Sequence, residues 1–86
     1  MASYKVVVDK RVRKKDFPKL PKKTAVAMAK RIAELANNPF PPDSIQLKGR
    51  AERRIREGNY RLLYLVDDEI VTVIVVHVGH RKDVYR

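Results

Sequence analysis

The chain has 86 residues and no cysteine, and 20 lysines and arginines against 10 aspartates and glutamates give it a net charge of +10. This length allows one hydrophobic core rather than two, so we expect a single domain over residues 1–86, and the missing cysteines exclude disulfide scaffolds, thiol nucleophiles and cysteine-ligated zinc. So large an excess of positive charge predicts a polyanionic partner, with nucleic acid as the first candidate.

The first predicted element is a β-strand over Ser3–Val8, where Tyr4, Val6 and Val8 form an apolar face. The apolar run at residues 6–8 is too short for a signal peptide, and no stretch approaches the ~18 apolar residues of a membrane span. We therefore expect a cytoplasmic protein with no membrane partner.

Two helices are predicted next, and together they form a hairpin. Asp9 occupies the position of an N-cap, and Pro18 predicts that the first helix kinks or stops near Phe17, because proline lacks an N–H and clashes with the carbonyl four residues earlier. Pro21 opens the second helix. Apolar residues recur along it at three- and four-residue spacing, which predicts a core-facing stripe: Ala25, Met28, Ala29, Ile32, Leu35 and Ala36.

From Ser44 onward the apolar pattern changes to period two, which predicts strands. Turns at Gly58-Asn59 and at residues 67–69 make them an antiparallel meander. The segment Ile70–Val78 is apolar on both faces, so we place it in the sheet interior beside the first strand. The predicted class is α+β, with an N-terminal strand, a helical hairpin and a three-stranded meander that complete a four-stranded sheet.

Three arginines are predicted to converge on this sheet. Arg54 and Arg56 are two residues apart on one strand and therefore share a face, and Arg61 follows the turn that leads to the next strand. Clustered like charges cost stability. The arrangement therefore favours a site for an anion that relieves the repulsion, and the alternative is that these are solvated arginines at the edge of the sheet.

Two segments give the chain a resemblance to a known family. Residues 59–64 read Asn-Tyr-Arg-Leu-Leu-Tyr, and residues 78–85, after a β-hairpin, read Val-Gly-His-Arg-Lys-Asp-Val-Tyr. Together they resemble the RelE/ParE superfamily of toxins. Three shorter matches fit the same family: Leu20-Pro21, Asn38-Pro39 and Leu47-Lys48-Gly49.

The resemblance implies a toxin of a type II toxin-antitoxin system with the α+β fold read above. The RelE branch implies a ribosome-dependent endonuclease that cuts mRNA in the ribosomal A site without a metal or cofactor. It implies three partners: a cognate RelB-like antitoxin, the ribosome with its rRNA, and mRNA. In such cleavage the ribose 2′-hydroxyl attacks the adjacent phosphate, which requires a proton acceptor, cations for the phosphorane and a proton for the leaving oxygen.

Carried over position by position, the resemblance assigns Arg61 to the scissile phosphate, Arg81 to the leaving group and Tyr85 to the base of the nucleotide. Arg54 and Arg56 stand where RelE has two lysines. A guanidinium does not accept a proton at neutral pH, so Arg56 serves as a cation and not as a general base. The remaining RNA-binding candidates are the following basic residues: Lys14, Lys15, Lys22, Lys23, Lys48, Arg50, Arg54 and Lys82.

The proton acceptor must then be another group. We take His80 as the candidate, because an imidazole both accepts and donates protons near neutral pH. An equally weighted alternative is that His80 is a solvent-exposed turn histidine without a catalytic role. Glu57 is the second candidate base. His77 alternates with Val76 and Val78 in a strand, which favours a structural role. Two histidines without a carboxylate or cysteine at ligand spacing give little support for a metal site.

Two other functions fit the same sequence. ParE members of the superfamily inhibit DNA gyrase without cutting RNA, and the C-terminal Arg81 and Tyr85 favour the RelE branch over them. The arginines in place of lysines also allow a nucleic-acid-binding accessory protein with a degraded active site.

Overall fold

The fold is built around one five-stranded sheet, seen in a computed structural model that describes residues 3–80. The strands stand in the order β1-β5-β4-β3-β2. Strand β1 runs parallel to β5, and the other neighbours are antiparallel. Their bounds are β1 Lys5–Val8, β2 Ile45–Gln46, β3 Arg53–Glu57, β4 Tyr60–Asp67 and β5 Thr72–His80. The α+β class and the interior position of β5 beside β1 are confirmed.

The predicted number of strands was four, which is wrong by one. The additional strand β2 has only two residues and pairs with β3 at the edge of the sheet. Side-chain hydrogen bonds hold it there, because the amide of Gln46 donates to the carbonyls of Arg50 and Glu52 at 2.7 and 3.1 Å, and Arg53 donates to the hydroxyl of Ser44 at 2.9 Å.

The helical hairpin is present, but its first arm, residues 10–19, is irregular. Its main parts are a π turn over Val12–Asp16 and a 3-10 turn over Phe17–Lys19. The carboxylate of Asp9 accepts the N–H of Arg11 at 2.8 Å, as expected of an N-cap. The break expected at Pro18 is confirmed, since proline cannot donate a helical hydrogen bond. We call residues 10–19 the helical arm.

The second arm is a regular helix, α1, over Lys22–Glu34, and Pro21 is its N-cap. Met28 and Ile32 are buried as predicted, whereas Ala29 is exposed because it lies about 100° around the helix from Met28. Within the described residues 3–80, no helix is long and apolar enough to cross a membrane.

The core lies between the helices and one face of the sheet. We call this the covered face and the other the open face. Successive side chains of a strand point to opposite faces of the sheet. A residue buried on the covered face therefore shows that its two neighbours in the strand point to the open face. The covered face packs on the helices through one cluster: Val12, Leu20, Met28, Ile32, Leu35, Ile55, Leu62, Tyr64, Val73, Val75 and Val78.

A β-bulge interrupts the alternation near the end of β5. Tyr64 pairs with Val75, but its neighbour Leu63 pairs with His77, so Val76 is an additional residue on β5. A bulge shifts every later side chain to the opposite face from the one that simple alternation gives. Val78 consequently points into the core, and His77 and Gly79 lie on the open face.

Candidate nucleic-acid interface

The three predicted arginines lie together on the open face. Ile55 is fully buried in the core, so its neighbours Arg54 and Arg56 point to the other side of the sheet. Arg56 pairs directly with Arg61 across β3 and β4, and Arg54 pairs with Leu63. We call Arg54, Arg56 and Arg61 the arginine cluster. A two-residue turn at Gly58, where φ is +61°, and Asn59 brings the two strands into this register.

The cluster places two like charges, those of Arg56 and Arg61, directly opposite one another. Like charges directly opposite one another on neighbouring strands are destabilising. The Nε atom of Arg54 is buried and has no hydrogen-bond partner in the described part of the chain. An oxyanion such as a phosphate would neutralise the charge and accept hydrogen bonds from guanidinium groups.

A cavity of about 660 Å³ is lined by neighbours of the cluster. Among its lining residues are Leu63 and Gly79, the register partners of Arg54 and Arg61. Gly79, which has no side chain, is the register partner of Arg61. The walls of this cavity carry three cations, two acids and two histidines: Arg11, Lys19 and Arg50, Asp16 and Glu52, and His77 and His80.

The two acids of the cavity are both engaged. Glu52 and Arg50 form a salt bridge of 2.8 Å, and this hydrogen bond from the guanidinium lowers the pKa of the Glu52 carboxyl. Asp16 is buried and accepts the backbone N–H of Val78 at 3.1 Å. The cavity therefore suits a ligand that brings negative charge.

Asp16 also contacts a histidine. Its Oδ2 atom lies 3.3 Å from Nδ1 of His77, and the Nε2 atom of His77 is buried without a hydrogen-bond partner within residues 3–80. The π turn of the helical arm places this carboxylate beside β5, where the pairing with β1 has ended at Val75. The sequence-based interpretation of His77 as structural did not anticipate this pair, although Asp16 is the single acid among the eight basic residues of the segment 10–23.

The structure does not bring His80 to the arginine cluster. Its register partner is Tyr60, which packs against the core, and the two rings meet edge to face with centroids 5.4 Å apart. The side chain of His80 therefore projects from the covered face. Glu57 points to the same side of β3 as Ile55. The pKa of Arg31 on α1 is raised chiefly by its hydrogen bond to Asp43, and the charge of Glu57 adds to this shift, so Glu57 too lies away from the cluster.

The other predicted RNA-binding residues form a broader basic surface. Lys14 and Lys15 are exposed on the helical arm, Lys22 and Lys23 are exposed at the start of α1, and residues 48 and 50 are exposed in the loop before β3. Arg81, Lys82 and Tyr85 lie outside the described residues. Within residues 3–80, no three histidine, aspartate or glutamate side chains are grouped to hold a metal ion.

The fold and this face define a small basic α+β protein with a cationic site on one side of its sheet. A family model described as the ParE toxin of type II toxin-antitoxin systems, parDE, matches residues 7–85. The chain thus belongs to the RelE/ParE superfamily of type II toxin-antitoxin toxins, as the resemblance in its sequence predicted.

Its relatives include both bacterial and archaeal toxins. Toxin RelG of Mycobacterium tuberculosis is 36% identical over 77 residues, which are 85% of this chain and 86% of that protein. The RelE-RelB complex of the archaeon Pyrococcus horikoshii has a toxin fold similar to this one, with a TM-score of 0.81, 26% identity, and coverage of 94% of this chain and 98% of that chain. The intact RelBE complex of E. coli gives a TM-score of 0.75 and 31% identity, and the match covers 91% of this chain and 96% of that chain.

Proposed function

We propose that this toxin is a ribosome-dependent endonuclease that cuts mRNA in the ribosomal A site and so inhibits translation in the cytoplasm. The observation that carries the proposal is the arginine cluster, in which Arg56 and Arg61 stand directly opposite one another and neighbours of the cluster line the cavity. Its relatives named RelE and RelG support the same branch of the superfamily.

The proposed chemistry needs no metal or cofactor. The ribose 2′-oxygen attacks the adjacent phosphorus in line, and negative charge develops on the phosphorane oxygens. Preorganised cations aimed at this charge are the largest contribution that a protein can make to such a step. Arg56 and Arg61 supply these cations, and Arg54 holds a neighbouring phosphate.

The C-terminal residues complete this proposal. Arg81 stabilises the leaving 5′-oxygen, and Tyr85 stacks on or orients the base, in the roles that the family resemblance gives them. Lys82 and four exposed lysines, Lys14, Lys15, Lys22 and Lys23, hold the phosphates of mRNA and rRNA. Residues 1–86 act as one domain in this proposal.

Salt should weaken the binding of the toxin to ribosomes or RNA steeply. If about six phosphates are neutralised, the logarithm of the binding constant falls with the logarithm of salt concentration with a slope of about −4 for single-stranded contacts. A filter-binding titration at several salt concentrations measures this slope. Replacing Lys14, Lys15, Lys22 and Lys23 with glutamine should reduce the slope and leave the position of cleavage unchanged. A slope near zero in the wild type would contradict a polyanionic partner.

We also propose a RelB-like antitoxin as the cognate partner. The archaeal and E. coli relatives were solved in complexes with RelB. An acidic or amphipathic segment would cover the basic surface of this toxin and the exposed edges of its sheet.

The main alternative is a ParE-like inhibitor of DNA gyrase, which the description of the matching family favours. A nucleic-acid-binding accessory protein without activity is the second alternative. Primer extension on mRNA from ribosomes incubated with the toxin, run beside a gyrase supercoiling assay, separates the three. Codon-phased cuts with intact gyrase support the endonuclease, gyrase inhibition without cuts supports the ParE-like function, and neither activity leaves the accessory protein.

A further inference from the structure

The Asp16 and His77 side chains form a carboxylate–imidazole pair that the chemistry above does not use. Nδ1 of His77 lies 3.3 Å from Oδ2 of Asp16, and the same oxygen accepts the N–H of Val78 at 3.1 Å. The side chain of Asp16 is only 10% exposed. Its position is therefore fixed from the helical arm and from the backbone of β5 together.

This pair sets the protonation pattern of the imidazole. The nearby carboxylate favours a proton on Nδ1 of His77, because a carboxylate attracts an N–H and repels a nitrogen lone pair, and this leaves Nε2 as the acceptor. Nε2 makes no hydrogen bond to the described residues. A buried acceptor without a partner is unfavourable, and a hydroxyl brought to it would remove that cost. An imidazole held by a carboxylate at one nitrogen and ready to accept a proton at the other is the arrangement of a general base.

The pair of Asp16 and His77 also lies close to the arginine cluster. His77, Leu63 and Arg54 form one row across the open face, and Gly79, Arg61 and Arg56 form the adjacent row. Adjacent rows on one face are about 7 Å apart along the strands. A phosphate bound by Arg61 over Gly79 therefore places the neighbouring ribose beside His77, which lines the cavity. Because Nε2 of His77 is buried in the protein alone, the approach of the hydroxyl displaces the side chains that cover it.

The other candidate bases are less well placed. His80 lines the same cavity but projects from the covered face, where its ring packs against Tyr60. Glu57 also projects from the covered face, and Glu52 is paired with Arg50 at 2.8 Å. The titratable and charged groups around His77 are Asp16 from the helical arm, Arg54 and Arg61 from the neighbouring strands, and Arg11, Lys19, Arg50, Glu52, Tyr60 and His80 on the walls of the cavity. His77 is the one imidazole on the open face of the described chain.

We propose that His77 is the general base of RNA cleavage and that Asp16 is its positioning residue, an inference that rests on the proposed endonuclease function. Nε2 of His77 takes the proton of the ribose 2′-hydroxyl. The 2′-oxygen forms a bond to phosphorus, and the bond from phosphorus to the 5′-oxygen breaks with its electron pair on that oxygen. The leaving oxygen takes a proton from water, and the hydroxide that remains takes the proton back from Nε2 of His77. The products are a 2′,3′-cyclic phosphate and a 5′-hydroxyl.

The test measures ribosome-dependent cleavage by the full chain between pH 5 and 8, where imidazoles titrate. His77→Gln should lower kcat by about 10²- to 10⁴-fold, leave KM nearly unchanged and remove the acid limb of the rate profile. Asp16→Asn keeps an acceptor for Val78 but not the carboxylate, so it should lower kcat less. His80→Gln is the matched substitution on the same strand and should keep the acid limb.

Two outcomes overturn the proposal while the endonuclease function stands. One is an unchanged acid limb in His77→Gln, and the other is an acid limb lost in His80→Gln instead. If the wild type cuts no RNA, the proposed function fails and this inference fails with it. If His77→Gln does not fold, the ¹⁵N chemical shifts of His77 in the wild type show which ring nitrogen carries the proton. A proton on Nε2 rather than on Nδ1 would contradict the assignment of Nε2 as the acceptor.

Discussion

Replacing Arg61 with alanine should lower the rate of RNA cleavage by about 10²- to 10³-fold, the typical cost of removing one group that stabilises transition-state charge. The effect should appear in kcat, because the phosphorane charge exists only in the transition state. Single-turnover cleavage on programmed ribosomes measures it directly. Expression of the variant without an antitoxin should no longer stop growth.

Control variants separate the role of Arg61 in cleavage from an effect of the protein's net charge and from an effect on folding. Lys30→Ala removes the same charge from an exposed position of α1 and should leave cleavage unchanged. Arg61→Lys keeps the charge but not the planar fork of donors, so it should recover only part of the rate. If Arg61→Ala were as active and as toxic as the wild type, the arginine cluster would not be the site of cleavage.

Much of the fold is visible in the sequence because burial imposes clear periods. The strands from Arg53 to His80 alternate or are apolar throughout, and α1 carries its apolar residues at helical spacing. Strand β2 was missed because a two-residue edge strand with both side chains exposed leaves no burial pattern. The irregularity of the helical arm follows from Pro18, but the π turn itself depends on how Val12 and Asp16 are buried against β5.

One β-bulge explains why simple alternation predicts the shared face of the arginines but not the faces of the two histidines. Arg54, Arg56 and Arg61 lie before the bulge, so simple alternation predicts their shared face. His77 and His80 lie after it. Simple alternation from Val75 would put His77 on the covered face and His80 on the open face, and the additional residue Val76 reverses both. Nothing in the local sequence marks this bulge, since Val76 is as compatible with a regular strand as its neighbours.

The pairing of Asp16 with His77 could not be inferred for a related reason. The two residues are 61 positions apart, and their contact needs both the π turn and the bulge. Sequence patterns report which residues share a face, but they do not report where an irregular arm meets the edge of a strand.

The cognate antitoxin should raise the melting temperature of the toxin by roughly 15 to 30 °C. A partner at about 1,000 times its Kd adds about 4 kcal/mol to the stability of the folded state, and 1 kcal/mol shifts the melting temperature of a domain of this size by about 4 to 8 °C. The toxin offers such a partner both charge and apolar surface. It carries +10 net charge, and several large apolar side chains are exposed: Val7, Val26, Phe40, Ile45, Ile70 and Val71.

Thermal melts of the toxin with increasing antitoxin at low and high salt would measure this effect. Because acidic segments are attracted to the basic surface, high salt should reduce the affinity and therefore the rise at a fixed subsaturating concentration. The apolar contacts are screened much less, so part of the rise should remain. A peptide of the same composition in scrambled order is the matched control, since it keeps the charge but not the pattern that fits the surface. The absence of any rise at saturating antitoxin would contradict a tight complex, and an equal rise with the scrambled peptide would show that charge alone drives the association.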